Sequence, residues 1–425
     1  MTQTNRRKFL GQAAALTGLA IVPRFVLGGP GYTAPSDMVT LGFIGTGRQG
    51  ITLQNNFAST GKAKTIAACD VYGSKVSHFV GMLDELPNQS STACTSHRDF
   101  REIFSRKDID AVVIATPDHW HSVMAVMAAD AKKDIYCEKP LGLTIREGRD
   151  IVNAVERNKV VFQTGSMQRS SPEFRQTVNL IRNGYLGEIT HIHVNIGGPP
   201  VDFDLPAETI PTDLDWKLWL GPNEPVPYNH ELNPVIGDPL WARWRYYKGL
   251  GGGDMTDWGA HMFDIVQWAL DMDGKGPVKI TPPDGRDNKV LTYEYENGVK
   301  MTQSDADKGR FIVFEGTEGR IRVQRRQLQV TPETLKDKVF APGEQKVYHS
   351  DNHYLDFLHA MATRKDPVCP VSIGQSTNTV CTLGNIAYEL GRPLTWDYTH
   401  ETFVGDIAAN GFLSRKLNTG WAIGR

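Results

Sequence analysis

The 425-residue chain carries 46 lysines and arginines against 48 aspartates and glutamates, a formal net charge of −2. A chain of this length predicts two domains with a large combined core. The near-neutral balance, with no basic tract beyond the first few residues, argues against nucleic acid as a partner. No apolar run is long enough for a stable membrane span.

Residues 1–28 read as a targeting segment. Asn5-Arg6-Arg7-Lys8-Phe9-Leu10 is a twin-arginine pattern, residues 13–22 are apolar, and Pro23 and a glycine-rich stretch follow. That order predicts twin-arginine export and a periplasmic destination. No cysteine follows the apolar region, so no stable membrane anchor is expected. The five cysteines (Cys69, Cys94, Cys137, Cys369 and Cys381) are scattered and form no C-x-x-C pair. A zinc site or redox pair is therefore not expected.

Residues 37–162 alternate strand-like and helix-like stretches, as a doubly wound parallel α/β sheet requires. The apolar run 39–44 reads as a buried strand. Gly45-Thr46-Gly47-Arg48-Gln49-Gly50 follows, a G-x-G-x-x-G turn, and then a helix to about residue 59. Gly45 permits the tight turn, Gly47 lets backbone approach a pyrophosphate, and Gly50 lets helix pack on strand. The helix N-terminus offers its free N–H groups to the phosphates. A second strand, 65–69, ends at Asp70, which can accept hydrogen bonds from an adenosine ribose diol. An acid there favours NAD, since a 2′-phosphate would meet its charge; Lys75 close by leaves NADP as the alternative.

A helix is expected over 71–86 and a strand over 109–115, ended by Thr116-Pro117. His119 is read in a loop, with His121 near the start of a helix to residue 131. Without further ligands nearby, the two histidines predict no metal site. The strand 135–137 delivers Glu138-Lys139-Pro140. Ligands bind at the carboxyl ends of parallel strands, so Thr116, Pro117, Glu138 and Lys139 should open onto the cofactor.

Residues 163–425 read as an α+β domain. A helix over 172–182 and strands over 188–196, 290–295, 300–303, 311–314 and 320–330 predict a large open sheet, mostly antiparallel. Residues 199–239 lack periodicity and read as a long functional loop. After Gly251-Gly252-Gly253, a helix over 254–270 puts Asp257 and His261 four apart on one face. Removing hydrogen from an alcohol needs a base for the hydroxyl proton, and histidine suits that near neutral pH. Lys139 suits orienting or stabilising the oxygen. Asp257 is read as fixing the His261 tautomer or binding a neighbouring hydroxyl. Six of the nine tryptophans fall between Trp216 and Trp268, and aromatic faces suit a sugar pocket. Trp244 and Arg245 belong to that group, with Arg245 suited to hydroxyls or a carboxylate; Trp268 is assigned to the core.

The Gly45–Gly50 turn, Thr116-Pro117 with His121, Glu138-Lys139-Pro140 and the run from Gly251 to His261 together resemble the glucose–fructose oxidoreductase/inositol dehydrogenase (Gfo/Idh/MocA) family. The resemblance implies a Rossmann domain joined to an α+β domain, an NAD(P) cofactor, and redox chemistry on a small sugar, glycoside or polyol. It implies Lys139, Asp257 and His261 as the catalytic set. It places His121 and Gln168 beside the cofactor, and Arg169 beside the substrate together with Trp244 and Arg245. It also implies a homo-oligomer built through the open sheet. Two other functions stay open: an NAD-dependent glycoside hydrolase working by transient oxidation and elimination, and a non-catalytic sugar sensor. Retention of a lysine, an aspartate and a histidine argues against the sensor, and the Asp-x-x-x-His form ranks oxidation first.

Overall fold

The computed structural model describes residues 38–418, 420 and 421. The twin-arginine segment lies outside them. The first half is built on six parallel strands: β1 (Val39–Ile44), β2 (Ala63–Cys69), β3 (Thr95–His97), β4 (Ala111–Ile114), β5 (Asp134–Cys137) and β6 (Phe162–Thr164), in the order β3-β2-β1-β4-β5-β6. β1 pairs with both β2 and β4, so the winding reverses beside it and leaves a crevice at its carboxyl end. Helices α1 (Arg48–Ser59), α2 (Gly73–Gly81), α3 (Phe100–Ser105), α4 (Asp118–Asp130) and α5 (Ile145–Asn158) connect the strands. The apolar runs are explained by burial on both faces: all four residues of β4 are buried. Thr144 and Glu147 form a capping box that starts α5.

The second half contains α6 (Pro172–Arg182), β7 (Ile189–Asn195), α7 (Trp216–Leu220), α8 (Asp254–Asp257), α9 (Gly259–Leu270), β8 (Lys279–Thr281), β9 (Leu291–Glu294), β10 (Lys300–Ser304), β11 (Phe311–Gly316), β12 (Arg320–Gln324), β13 (Gln327–Thr331), α10 (His353–Thr363), α11 (Val371–Leu390), β14 (Leu394–Asp397) and β15 (Thr402–Phe403). Its nine strands run β13-β12-β11-β7-β10-β9-β8-β14-β15. Only β7 and β10 pair in parallel, so the sheet is mostly antiparallel, as expected. Side chains of α6, α9 and α11 pack with one face of it in a single core.

Four expectations about local structure change. The run 320–330 is two strands, joined by a two-residue turn at Arg325-Arg326 with Arg326 at φ 64°. The turn lacks the glycine or asparagine that usually marks a hairpin, so the sequence looks continuous. The helix expected over 254–270 breaks at Trp258 into α8 and α9. α4 begins at Asp118, which puts both His119 and His121 inside its first turn and not in a loop before it. The helix expected over 71–86 is shorter, with a 3₁₀ turn over Met82–Glu85 after α2.

Two segments tie the halves together. From late in the chain, α10 packs Phe357, Leu358 and Met361 with Phe43 and Tyr136 of the first sheet and Phe57 of α1. The long loop around residues 199–250 has its own apolar cluster, including Trp216, Trp219, Tyr228, Leu232 and Trp244. It docks on the first half through a Tyr72–Leu214 bridge, a 3.0 Å bond from Gly73 N to the Asp213 carbonyl, and a bond from Lys75 Nζ to Asn233. These contacts seat the loop over the carboxyl ends of the parallel strands.

Candidate active site

A cavity of about 520 Å³ lies beneath that loop, lined from both halves. One end is the glycine turn. Gly45 has φ 90°, and a Cβ there would stand 2.5 Å from the Ala115 carbonyl oxygen; at Gly50 it would stand 2.2 Å from the Gly45 carbonyl oxygen. At Gly47 a Cβ would meet nothing within 4 Å, although that residue lines the cavity. The first two glycines are thus required by the protein's own packing, and Gly47 leaves room for something outside it. α1 begins at Gly47 with no side-chain cap and no acid in its first turn. Its free N–H groups and partial positive charge face the opening. Thr116 Oγ1 is buried without a partner and belongs to a cavity-lining residue. An open glycine, an uncapped helix start and an orphaned hydroxyl fit a dinucleotide.

Asp70 lines the same end. Its Oδ2 accepts from Thr46 N at 2.8 Å and from Thr46 Oγ1 at 3.2 Å, and its Oδ1 accepts from Tyr72 N at 3.0 Å. A carboxylate has lone pairs beyond these three. Thr46 is therefore turned toward Asp70, and Gly50 toward Gly45. Neither lines the cavity; both shape the cradle from behind, where the sequence reads them as cofactor contacts. Gln49 Nε2 donates to Glu138 Oε1 at 2.8 Å, linking the glycine turn to the end of β5.

At the other end, Lys139 Nζ donates to Asp257 Oδ1 at 2.6 Å and to the Asp257 carbonyl at 2.7 Å. Arg245 Nε lies 3.9 Å from the same carboxylate oxygen. Burial pushes the Asp257 carboxyl upward, but Lys139, Arg245 and Arg325 outweigh it and hold the group below its ordinary value. His261 lies one turn further on. Its Nδ1 is buried with no partner, and burial, then Lys139 and Arg325, drive its pKa well below 6.5. The imidazole is neutral there and able to accept a proton. Of the two roles read for Asp257, holding the His261 tautomer is not seen: its Oδ1 accepts from Lys139, and the residue lines the cavity, where a substrate hydroxyl would sit. Trp219, Trp241, Trp244 and Trp258 line the wall, and Trp268 sits in the core.

Two further expectations give way, and His121 lies at the cavity. Arg169 is fully buried: its guanidinium bonds Asp264 at 2.8–3.0 Å and Asp273 at 2.7 and 3.0 Å, with its charge over Trp268. Two carboxylates take all it offers, and it does not line the cavity. Gln168 also lies behind the wall, donating to the His261 carbonyl at 3.2 Å and accepting from Arg325 Nε at 3.0 Å. It holds its neighbours in place from outside the cavity lining. His121 lies between the Pro140 carbonyl (2.6 Å from Nδ1) and the Thr116 carbonyl (3.0 Å from Nε2). It lines the cavity, and its ring nitrogens pin the two strand-end turns together.

The structure adds residues the sequence did not single out. Arg325 enters the cavity from the β12–β13 turn, over the Trp258 ring at 4.8 Å. Two adjacent arginines in a β-rich run were the only sign of it. Asp118, at the start of α4, is buried in the cavity wall and pushed up to about 8 by desolvation. Only tertiary packing could reveal that.

Fold and cleft together define a two-domain oxidoreductase with an NAD-binding Rossmann half. Two family models agree, the oxidoreductase NAD-binding Rossmann fold over residues 39–166 and the oxidoreductase C-terminal alpha/beta domain over residues 201–423. The chain belongs to the Gfo/Idh/MocA oxidoreductase family. It is 23% identical over 384 residues to the uncharacterized oxidoreductase YrbE of Bacillus subtilis, covering 85% of this chain and 98% of that one. It is 30% identical over 208 residues to a glycosyl hydrolase family 109 protein of a Shewanella strain, which covers only 45% of each chain. In fold it is similar to the WlbA dehydrogenase of Bordetella pertussis, solved with NADH and UDP-GlcNAcA, at TM-score 0.61 and 15% identity over 85% of this chain and 98% of that one.

Proposed function

We propose that the protein oxidises or reduces a carbinol carbon of a sugar, glycoside or polyol. The observation that carries this reading is the meeting, in one cavity, of a dinucleotide cradle with the bonded Lys139–Asp257 pair and a buried, unpartnered imidazole nitrogen on His261. A bound nicotinamide supplies the acceptor for the hydrogen and electron pair of the C–H bond. Lys139, fixed by Asp257, orients the hydroxyl oxygen and stabilises charge developing on it. His261 takes the hydroxyl proton on its imidazole. The tryptophan wall excludes water from the reacting atoms.

A second reading is favoured by the family 109 relatives: a glycoside hydrolase in which the same oxidation is transient and the nucleotide ends unchanged. The two separate in one experiment. NAD-loaded protein is offered simple sugars and aryl glycosides while nicotinamide absorbance and aglycone release are followed independently. Sugar-dependent reduction of the nucleotide supports the dehydrogenase. Aglycone release without keto sugar supports the hydrolase. Silence in both sinks the redox reading.

The proposal includes place and assembly. The Arg6-Arg7 pattern supports twin-arginine export to the periplasm, tested by loss of export in Arg7→Lys protein. The open face of the nine-stranded sheet supports a homo-oligomer, tested by sedimentation equilibrium; a monomer at micromolar concentration would refute it.

A further inference from the structure

Three cations surround Asp257. Lys139 is bonded to it, Arg245 stands 3.9 Å away, and Arg325 acts on both Asp257 and His261 from the hairpin turn. One carboxylate does not balance three positive charges. Of the other acids in the cavity wall near this end, Asp118 is pushed up to about 8 by burial and is uncharged at neutral pH. Glu138 is buried against Gln49 and likewise pushed upward by desolvation.

The two guanidinium groups are held against tryptophan rings. Arg245 lies 4.5 Å from the Trp241 ring centre and 4.2 Å from that of Trp244, and its Nη1 donates to the Ala242 carbonyl at 3.1 Å. Arg325 lies 4.8 Å from the Trp258 ring centre, and its Nε donates to Gln168 at 3.0 Å. Among the described residues, neither guanidinium makes another hydrogen bond. Nη2 of Arg245 and both terminal nitrogens of Arg325 are left free. A planar, preorganised guanidinium with open N–H donors matches the geometry of a carboxylate or phosphate. The dinucleotide phosphates have the free N–H groups at the uncapped start of α1; Arg48 and Arg245 both lie against Trp241, at 5.8 and 4.5 Å from its ring centre.

We propose that Arg245 and Arg325 form an oxyanion subsite, and that the substrate is a sugar carrying a negatively charged group, a carboxylate or a phosphate. The assignment rests on the carbohydrate reading above, but binding tests it separately from turnover. NAD-loaded protein is titrated calorimetrically with glucuronate, galacturonate, glucose 6-phosphate, glucose and galactose. At least one charged sugar should bind about tenfold or more tightly than its neutral parent, the worth of one charge-assisted hydrogen bond. The stronger class, uronate or phosphate, identifies the group. Arg325→Gln alters an exposed turn and leaves the core intact; it and Arg245→Gln should each reduce the charged-to-neutral ratio by about tenfold. Equal binding of charged and neutral sugars, no binding of any charged sugar, or an unchanged ratio in both variants would overturn the subsite. Oxidation of neutral sugars without charge preference overturns the subsite and leaves the redox reading standing. Charge-selective binding without turnover of any sugar keeps the subsite and refutes the redox reading.

Discussion

Asp257 and His261 stand one helical turn apart and share no hydrogen bond. The helix breaks at Trp258, between α8 and α9, and the Asp257 carboxylate reaches across to Lys139 at the end of β5. The imidazole is left without a partner at Nδ1. The acid thus fixes the ammonium, and burial, with Lys139 and Arg325, keeps the base neutral.

Replacing Asp257 by Asn should act through Lys139. The amide still accepts a hydrogen bond but no longer matches the ammonium charge, so kcat should fall on the order of a hundredfold with little change in NAD affinity. Steady-state kinetics beside a nucleotide titration checks this. An equal loss in NAD affinity would place Asp257 in cofactor binding instead.

The pH profile follows from His261. Its pKa lies well below 6.5, so the neutral, proton-accepting form persists as pH falls through that value. Oxidation should stay level across pH 6.5 and decline only in more acidic solution. An acid limb centred at or above 6.5 would exclude His261 as the base. His261→Ala should cost on the order of a hundredfold or more in kcat and leave NAD bound.

The glycines separate folding from cofactor binding. Gly50→Ala pushes a methyl to 2.2 Å from the Gly45 carbonyl oxygen and should destabilise or unfold the protein. Gly47→Ala meets no protein atom within 4 Å. It should melt near the wild-type temperature yet lose NAD affinity, because its methyl occupies the cofactor's approach. Thermal melts and nucleotide titrations of both variants decide it; normal NAD binding by Gly47→Ala would contradict the placement.

Asp118 gives stability a sign that opposes the usual carboxylate. With its folded pKa near 8 and an unfolded value near 3.8, the folded state keeps a proton the unfolded chain has released. Its contribution therefore weakens as pH rises from about 4 to 8, by up to about 1.4 kcal/mol per pH unit. Asp118→Asn removes this slope. The variant should match wild type near pH 4 and be the more stable protein at pH 7.5 in urea unfolding. Parallel stability curves for the two would contradict the shift.

Arg169 is a structural residue. Arg169→Leu leaves Asp264 buried without its cation and should cost about 3–5 kcal/mol of stability. The protein that remains folded should keep its substrate KM. A raised KM at unchanged stability would restore the substrate role the sequence suggested.

The parallel sheet and its glycine turn were legible because strand burial, turn sterics and the strand-end acid are local signals within about thirty residues. Lys139, Asp257 and His261 were legible as residue types and spacing, but their pairing was not. Helical spacing puts Asp257 and His261 on one face; the break at Trp258 and the arrival of Lys139 from another domain decide which of them the carboxylate meets. Arg169 shows the converse. A guanidinium beside a domain junction reads the same whether it faces substrate or two buried carboxylates, and Asp264 and Asp273 lie about a hundred residues away. Arg325 was hidden because its turn uses two arginines, with no glycine or asparagine to announce it.

The most direct test follows the hydrogen itself. NAD-loaded protein is given sugars deuterated at each carbinol carbon in turn, and the released nucleotide is weighed by mass spectrometry. One labelled position should pass its deuterium to the nicotinamide, and His261→Ala should suppress that transfer. A sugar converted to product with no deuterium in the nucleotide from any position would contradict redox chemistry in this cleft.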